Sequence, residues 1–206
     1  MDTVEEKKNY FPIFLDLTGK KCVVVGGGSV AERKCEALIK AGADVTVVAP
    51  MITKGLKDVH AKGQITHVKR DYKAEDIDPA FLVIAATDYE EINQKVAEDA
   101  SAANKLVNVV DTPALCNYIT PAVFQRGLLT VAISTGGASP AIAKEIREEL
   151  QKLYGPEFAK RLENVKNART KVIKEIKDRT ERSKAIKEIV STMRGGRREN
   201  SPRKSK

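Results

Sequence analysis

Between residues 20 and 113, short apolar runs alternate with stretches whose apolar residues recur every three or four positions. Residues 20–25, KKCVVV, form a short run rich in β-branched valine, as expected of a strand buried on both faces and so of a parallel sheet. The next segment, SVAERKCEALIKAG, sets Val30, Ala31, Lys34, Cys35, Leu38 and Ile39 at helical spacing and closes on Gly42 in the usual stop position. DVTVVA (44–49) reads as a second strand, QITHV (64–68) as a weaker one, and FLVIAAT (81–87) as a strongly buried one. A helix over 90–104 and a strand over 105–111 complete the series. Strict alternation of this kind predicts an α/β, doubly wound parallel sheet with right-handed crossovers.

After Pro113 the rhythm changes. GLLTVAIST (127–135) is an isolated apolar strand, and residues 136–155 form a helix with Ser139 as N-cap and Pro140 in its first position. From Pro156 the pattern stays helical, with Phe158, Leu162, Val165, Val172, Ile173 and Ile176 among many cations, until Gly195 and Gly196. The stretch RRENSPRKSK (197–206) is too polar to pack and is expected to be disordered.

Charge divides at the same place. Residues 151–206 hold 18 Lys and Arg against 7 Asp and Glu, whereas residues 1–150 hold 18 against 21, so the net charge of +8 belongs to the C-terminal quarter. The N-terminal MDTVEEKKNY has no apolar stretch behind it, and no run approaches the roughly 18–20 residues that cross a bilayer. A cytoplasmic protein without a membrane partner is expected. Cys22, Cys35 and Cys116 are three and far apart, and with His60 and His67 alone to add, no metal site is expected. Cys22 and Cys35 read as small packed hydrophobes.

The glycines carry the first chemical signal. In GGGSVA, Gly26 and Gly28 occupy the first two positions of the dinucleotide fingerprint and Ala31 the third, directly between a buried strand and an amphipathic helix. Gly26 permits the turn out of the strand, Gly28 removes the side chain that would keep a pyrophosphate off the backbone, and the helix N-terminus offers N–H groups to the anion. The acid that normally grips the ribose about 20 residues later is missing. That place falls at Val47 to Pro50, and Asp44 lies at the wrong end of its strand. Backbone groups or hydroxyls must hold the ribose. With only Lys54 nearby as a cation, NAD is favoured modestly over NADP.

Two strand ends and one loop carry candidate chemistry. AATD ends on Thr87, expected at the cofactor, and Asp88; NVVD ends on Asp111, followed by Thr112 and Pro113. Asp111 lies by the presumed nicotinamide end of the crevice and is either an acid or base or a residue that hydrogen-bonds the Thr112–Pro113 turn. In STGGASP, Ser134, Thr135, Gly136, Gly137 and Ser139 lead into a helix N-terminus, suited to an anionic substrate or to a glycine-rich connector with an ordinary cap.

Four segments in order, 10–50, 82–96, 108–113 and 130–150, closely resemble the precorrin-2 dehydrogenases of sirohaem synthesis, both the stand-alone enzymes and the N-terminal part of the multifunctional sirohaem synthases. The resemblance implies NAD-dependent oxidation of precorrin-2 to sirohydrochlorin, with some members also inserting ferrous iron. It implies a homodimer built as a Rossmann-type domain (1–112), a small α+β dimerisation region (113–152) and a helical C-terminal region (153–196), before the tail at 197–206. The family's functional aspartate falls on Asp111, its glycine motif on Gly26, Gly27 and Gly28, its nucleotide contacts on Ser29, Val30, Pro50 and Met51, and its segment near the substrate cleft on the loop 134–140. The missing ribose acid is then a family trait. A dinucleotide-sensing regulatory module needs neither Asp111 nor that loop. A nucleic-acid binder driven by the basic segment lacks stacking aromatics beyond Tyr154 and Phe158, so no specific nucleic-acid partner is expected.

Overall fold

The computed structural model describes residues 8–195, and side chains through residue 191. The tail expected at 197–206, and the stop expected at Gly196, lie outside the described residues. Five strands, β1 (Lys21–Val25), β2 (Asp44–Val48), β3 (Ile65–Val68), β4 (Leu82–Ala85) and β5 (Leu106–Val109), form one parallel sheet in the order β3-β2-β1-β4-β5. This is the doubly wound Rossmann order, and its chain reversal lies between β1 and β4.

Alternation along each strand sorts the core into two faces. Cys22, Val24, Val45, Val47, Leu82 and Ile84 point to one face and meet Ala31, Cys35 and Leu38 of α1 (Ser29–Lys40) and Leu56 of α2 (Lys54–Ala61). Val23, Val25, Val83, Ala85, Val107 and Val109 point to the other and meet Val96, Ala97 and Ala100 of α3 (Glu90–Ala102). Each of these side chains is under 9% exposed, and burying a valine contributes about 1.5 kcal/mol or more. Burial pushes the Cys22 thiol up to about 11 and the Cys35 thiol up to about 12, so both pack as neutral, unreactive hydrophobes. The crossover from β3 to β4 carries only a 3-10 turn (Ala74–Ile77), whose Ile77 plugs the second face.

The boundary between two compact units falls between Thr120 and Pro121. In the second unit, the strand read from sequence as isolated is β7 (Leu129–Ile133), and it pairs antiparallel with β6 (Ala122–Arg126). Strand β6 escaped notice because only Phe124 is buried along it, so it shows no clear alternation of apolar and polar residues. Arg126 faces Leu129 across the two-residue turn Gly127–Leu128, where Gly127 takes φ +57°, the left-handed geometry such hairpins require. Helix α4 (Pro140–Leu153) packs on both strands. The helical region beyond Pro156 is two helices, α5 (Pro156–Glu175) and α6 (Arg179–Gly195). Asp178 restarts the chain by accepting hydrogen bonds from the Thr180 and Glu181 N–H groups through Oδ1, at 2.9 and 2.8 Å. Among the described residues no helix is long and apolar enough to cross a membrane.

Arg70 grips Asp76 with two hydrogen bonds of 2.8 and 2.6 Å and pins the turn before β4. The guanidinium holds the Asp76 carboxyl below the usual carboxylate range, against the opposing effect of burial and with help from the Lys73 N–H. A carboxyl lowered in the folded state stabilises above its ordinary value near pH 4, and that stabilisation vanishes as pH falls through the lowered value. Arg70→Met is therefore expected to lower the urea midpoint at neutral pH. The gap from wild type should close as pH falls through the lowered Asp76 value; a gap independent of pH would mean that Arg70 acts through packing alone.

Candidate functional site

The C-terminal ends of β1, β2 and β4 converge on the glycine turn. The Gly26 N–H donates to the Val48 carbonyl at 3.0 Å and the Ala86 N–H to the Val25 carbonyl at 2.8 Å, which draws three strand ends together. Gly26 has φ +120°, and a Cβ there would overlap the Ala86 carbonyl. A Cβ on Gly27 would overlap the Met51 carbonyl, because the loop after β2 folds back and the Thr53 N–H donates to the Gly27 carbonyl at 3.0 Å. Gly28 differs: it has ordinary backbone angles, and nothing lies within 4 Å of where its Cβ would stand. The first two glycines are thus demanded by the protein itself, and the third opens onto free space at the N-terminus of α1.

That helix start has no side-chain cap, leaving N–H groups of the Ser29–Val30 turn directed at the space in front of Gly28. Ser29 is exposed and Val30 half-buried. Pro50 and Met51 stand exposed on the returning loop, Met51 at 82%. A backbone cradle with open space at one glycine and an uncapped helix N-terminus fits the pyrophosphate of a dinucleotide. No carboxylate ends β2. Glu32, in the first turn of α1, instead accepts a hydrogen bond from the Thr53 hydroxyl, while Thr53 caps α2 by accepting the Leu56 N–H at 3.2 Å. Glu32 clamps the returning loop to α1. Sequence reading missed it because the contact joins residues 21 apart on different elements.

Thr87 is placed at the end of β4, next to Ala86 beneath Gly26, but its side chain is engaged locally. Its hydroxyl lies 2.9 Å from Asn93 Oδ1 and 3.0 Å from the Tyr89 carbonyl, and its backbone is bracketed by Asn93, which accepts the Thr87 N–H and donates to the Thr87 carbonyl.

Asp111 lies just past β5. It is exposed and takes φ +58°, an uncommon angle for a residue with a side chain and one that Asp tolerates better than most. Its carboxylate makes no hydrogen bond among the described residues. The turn is held by other groups: the Thr112 hydroxyl donates to the Val110 carbonyl at 3.4 Å, and the buried Cys116 Sγ accepts the Val109 N–H at 3.1 Å. Lys8 adds a long-range tie, its ammonium donating to the carbonyls of Pro113, Ala114 and Cys116 at 3.3, 2.6 and 2.8 Å. The turn therefore does not need the Asp111 side chain, which is exposed. Beside it, Asn108 is buried and donates to the Tyr118 carbonyl at 3.2 Å, and Lys34 of α1 reaches Asn108 Oδ1 at 3.4 Å and Thr120 Oγ1 at 3.3 Å.

In the second unit, the loop 134–140 turns through Gly136 (φ +64°) and Gly137 (φ +93°). Its hydroxyls are largely used within the loop. Thr135 Oγ1 accepts the Ser139 N–H at 3.0 Å, Ser139 Oγ caps α4 by accepting the Ile142 N–H at 3.2 Å, and Ser134 Oγ accepts the Gly136 N–H at 3.1 Å. The exposed Ser134 keeps its hydroxyl proton for a ligand, and both glycines have open space where a Cβ would stand.

Comparison with known proteins agrees with this geometry. A family model described as putative NAD(P)-binding matches residues 13–122, and one described as the central part of sirohaem biosynthesis protein matches residues 126–153. The chain is 43% identical over 148 residues, 72% of its length, to a sirohaem synthase of Actinobacillus pleuropneumoniae serotype 3, of which this covers 30%. It is 45% identical over 142 residues to one from Methylobacillus flagellatus, again covering 30% of that protein. The chain thus spans about a third of the length of these curated relatives. Among solved structures it resembles SirC, precorrin-2 dehydrogenase, with a TM-score of 0.77, 30% identity, and coverage of 88% of this chain and 89% of SirC.

The glycines separate fold from binding. Gly27→Ala is expected to unfold the domain or cut its thermal midpoint by 10 °C or more, through overlap with the Met51 carbonyl. Gly28→Val should keep a midpoint near wild type while weakening NAD at least a hundredfold by calorimetric titration. Undiminished NAD affinity in Gly28→Val would place the pyrophosphate elsewhere.

Proposed function

The chain belongs to the NAD(P)-binding family of sirohaem biosynthesis that includes SirC, and from that premise we propose that it oxidises precorrin-2 to sirohydrochlorin with NAD. The single observation that carries this reading is the pairing, in one Rossmann unit, of an open cradle at Gly28 with an exposed carboxylate at Asp111, without a hydrogen bond among the described residues, on the far side of the strand-order reversal. A purely nucleotide-sensing module has no need of a free carboxylate held on a left-handed backbone.

NAD supplies the hydride acceptor when bound. In the overall change precorrin-2 gives up one hydride and one proton, so that NADH, a proton and sirohydrochlorin result. What the chain contributes is placement and proton handling. The Gly26–Gly28 turn and the N–H groups of Ser29 and Val30 hold the pyrophosphate, and Pro50 and Met51 border the adenosine side through backbone groups rather than a carboxylate. Thr87 borders the cradle through its backbone, since its hydroxyl is committed to Asn93 and Tyr89. Asp111 accepts the proton or orients the macrocycle at the edge beyond β5. Ser134, Thr135, Gly136, Gly137 and Ser139 contact the anionic substrate, with Thr135 and Ser139 shaping the loop and Ser134 and the glycine N–H groups available to a carboxylate.

The homodimer belongs to the same proposal, supported by apolar side chains left in solvent on each unit. Phe11 (85% exposed), Ile13 and Phe14 stand out on the first unit, and Val123 and Leu128 on the hairpin of the second. Light scattering is expected to return twice the 22.6 kDa of the chain; a monomer at micromolar concentration would remove the dimer from the account.

Asp111→Asn keeps the size and loses the charge. Under anaerobic conditions with freshly made precorrin-2, it is expected to lower kcat by a hundredfold or more while NAD affinity stays within twofold of wild type. Full turnover by this variant would take Asp111 out of the mechanism, and no NADH formation by wild type in the presence of bound NAD would favour the sensing module.

A further inference from the structure

Among the described residues of the first unit, Lys34 carries a half-buried charge with weak partners only. Its side chain leaves α1 half-buried, one turn past the glycine cradle, and its ammonium meets only two neutral acceptors at hydrogen-bond limit, Asn108 Oδ1 at 3.4 Å and Thr120 Oγ1 at 3.3 Å. Three other cations of the unit are better served: Lys8 has three carbonyls, Lys105 the Asp78 carbonyl at 2.9 Å, and Arg70 a bidentate carboxylate. No ion pair reaches Lys34 among the described residues. An ammonium that loses water for two long contacts to neutral oxygens is left with unmet donor capacity, and a carboxylate is the partner that restores most.

Position sets which carboxylate. Asn108 precedes Asp111 by three residues on the same strand end, so Lys34 stands between the cofactor cradle and the free aspartate. The groups that face the ammonium are Asn108 and Cys116 from β5 and its following turn, Asp111 at that turn, Thr120, and Arg33 on α1 itself. Burial lowers the Lys34 pKa, with Cys116 and Asp111 opposing and Arg33 adding to the effect. Among the described residues no carboxylate occupies the contact position.

We propose that the Lys34 ammonium is a substrate-binding group that takes one peripheral carboxylate of the tetrapyrrole and so sets the macrocycle's register between the cradle and Asp111. The proposal rests on precorrin-2 being the substrate. Sirohydrochlorin bears the same peripheral carboxylates and is not turned over by the dehydrogenase, so its binding reads the contact apart from catalysis.

The test is fluorescence titration of the full chain with sirohydrochlorin, together with NAD titration, for wild type, Lys34→Met and Lys34→Arg. Lys34→Met, which keeps an apolar stem, is expected to weaken sirohydrochlorin about tenfold or more and to leave NAD within twofold. Lys34→Arg should keep most of the affinity, and the salt dependence of binding should be shallower in Lys34→Met than in wild type. Wild-type affinity in Lys34→Met would overturn the proposal, as would equal loss of sirohydrochlorin and NAD affinity with a lowered thermal midpoint, the mark of a strut between α1 and β5. Absence of sirohydrochlorin binding and of precorrin-2 turnover in wild type would instead overturn the substrate assignment, and this inference with it.

Discussion

Backbone crowding at the glycine turn governs the rest of the first unit. The end of β1 must pass so close to the Ala86 carbonyl on one side and the Met51 carbonyl on the other that neither Gly26 nor Gly27 can carry a side chain. Hydrogen bonds from Gly26 to Val48 and from Thr53 to Gly27 then lock the ends of β1 and β2 and the returning loop into one block. Only because these approaches are met within the protein does Gly28, the next residue, face open space with a helix N-terminus behind it. The cradle is therefore built by contacts within the protein.

The same block fills the place where a ribose-binding acid usually stands. In the usual arrangement a carboxylate at the end of β2 points at the hydroxyls. Here the loop Pro50–Thr53 crosses that place as backbone, tied to Gly27 and clamped by Glu32 through Thr53, so the acidic group is spent on holding the loop rather than on the ligand. On the other side of the reversal, Asp111 is carried on a turn fastened by Cys116, Thr112 and the distant Lys8.

The sequence made the parallel sheet and the glycine cradle legible because both are written locally: continuous valine runs, helical spacing at Ala31, Cys35 and Leu38, and glycine between them. What it concealed depends on contacts far apart along the chain. Helix α2 buries only Leu56, and β6 buries only Phe124, so neither shows a period strong enough to read. The break between α5 and α6 hangs on the Asp178 cap rather than on glycine or proline. The glycine fingerprint pointed to Gly26 and Gly28, whereas the need for Gly27 arises from a loop 24 residues later. Nothing local marks the ties made by Lys8 and Lys34, since their partners lie 105 and 74 residues away. In the loop 134–140 the hydroxyl pattern was visible, but not that Thr135 and Ser139 are already committed within it.

The measurement that bears most directly on this account is a crystal structure of the protein with NAD bound. The account predicts the pyrophosphate over Gly28, hydrogen-bonded to the first N–H groups of α1, the adenosine ribose against the Pro50–Met51 backbone, and the nicotinamide on the Asp111 side of the strand-order reversal. A nucleotide bound elsewhere, or with its nicotinamide directed away from Asp111, would contradict it.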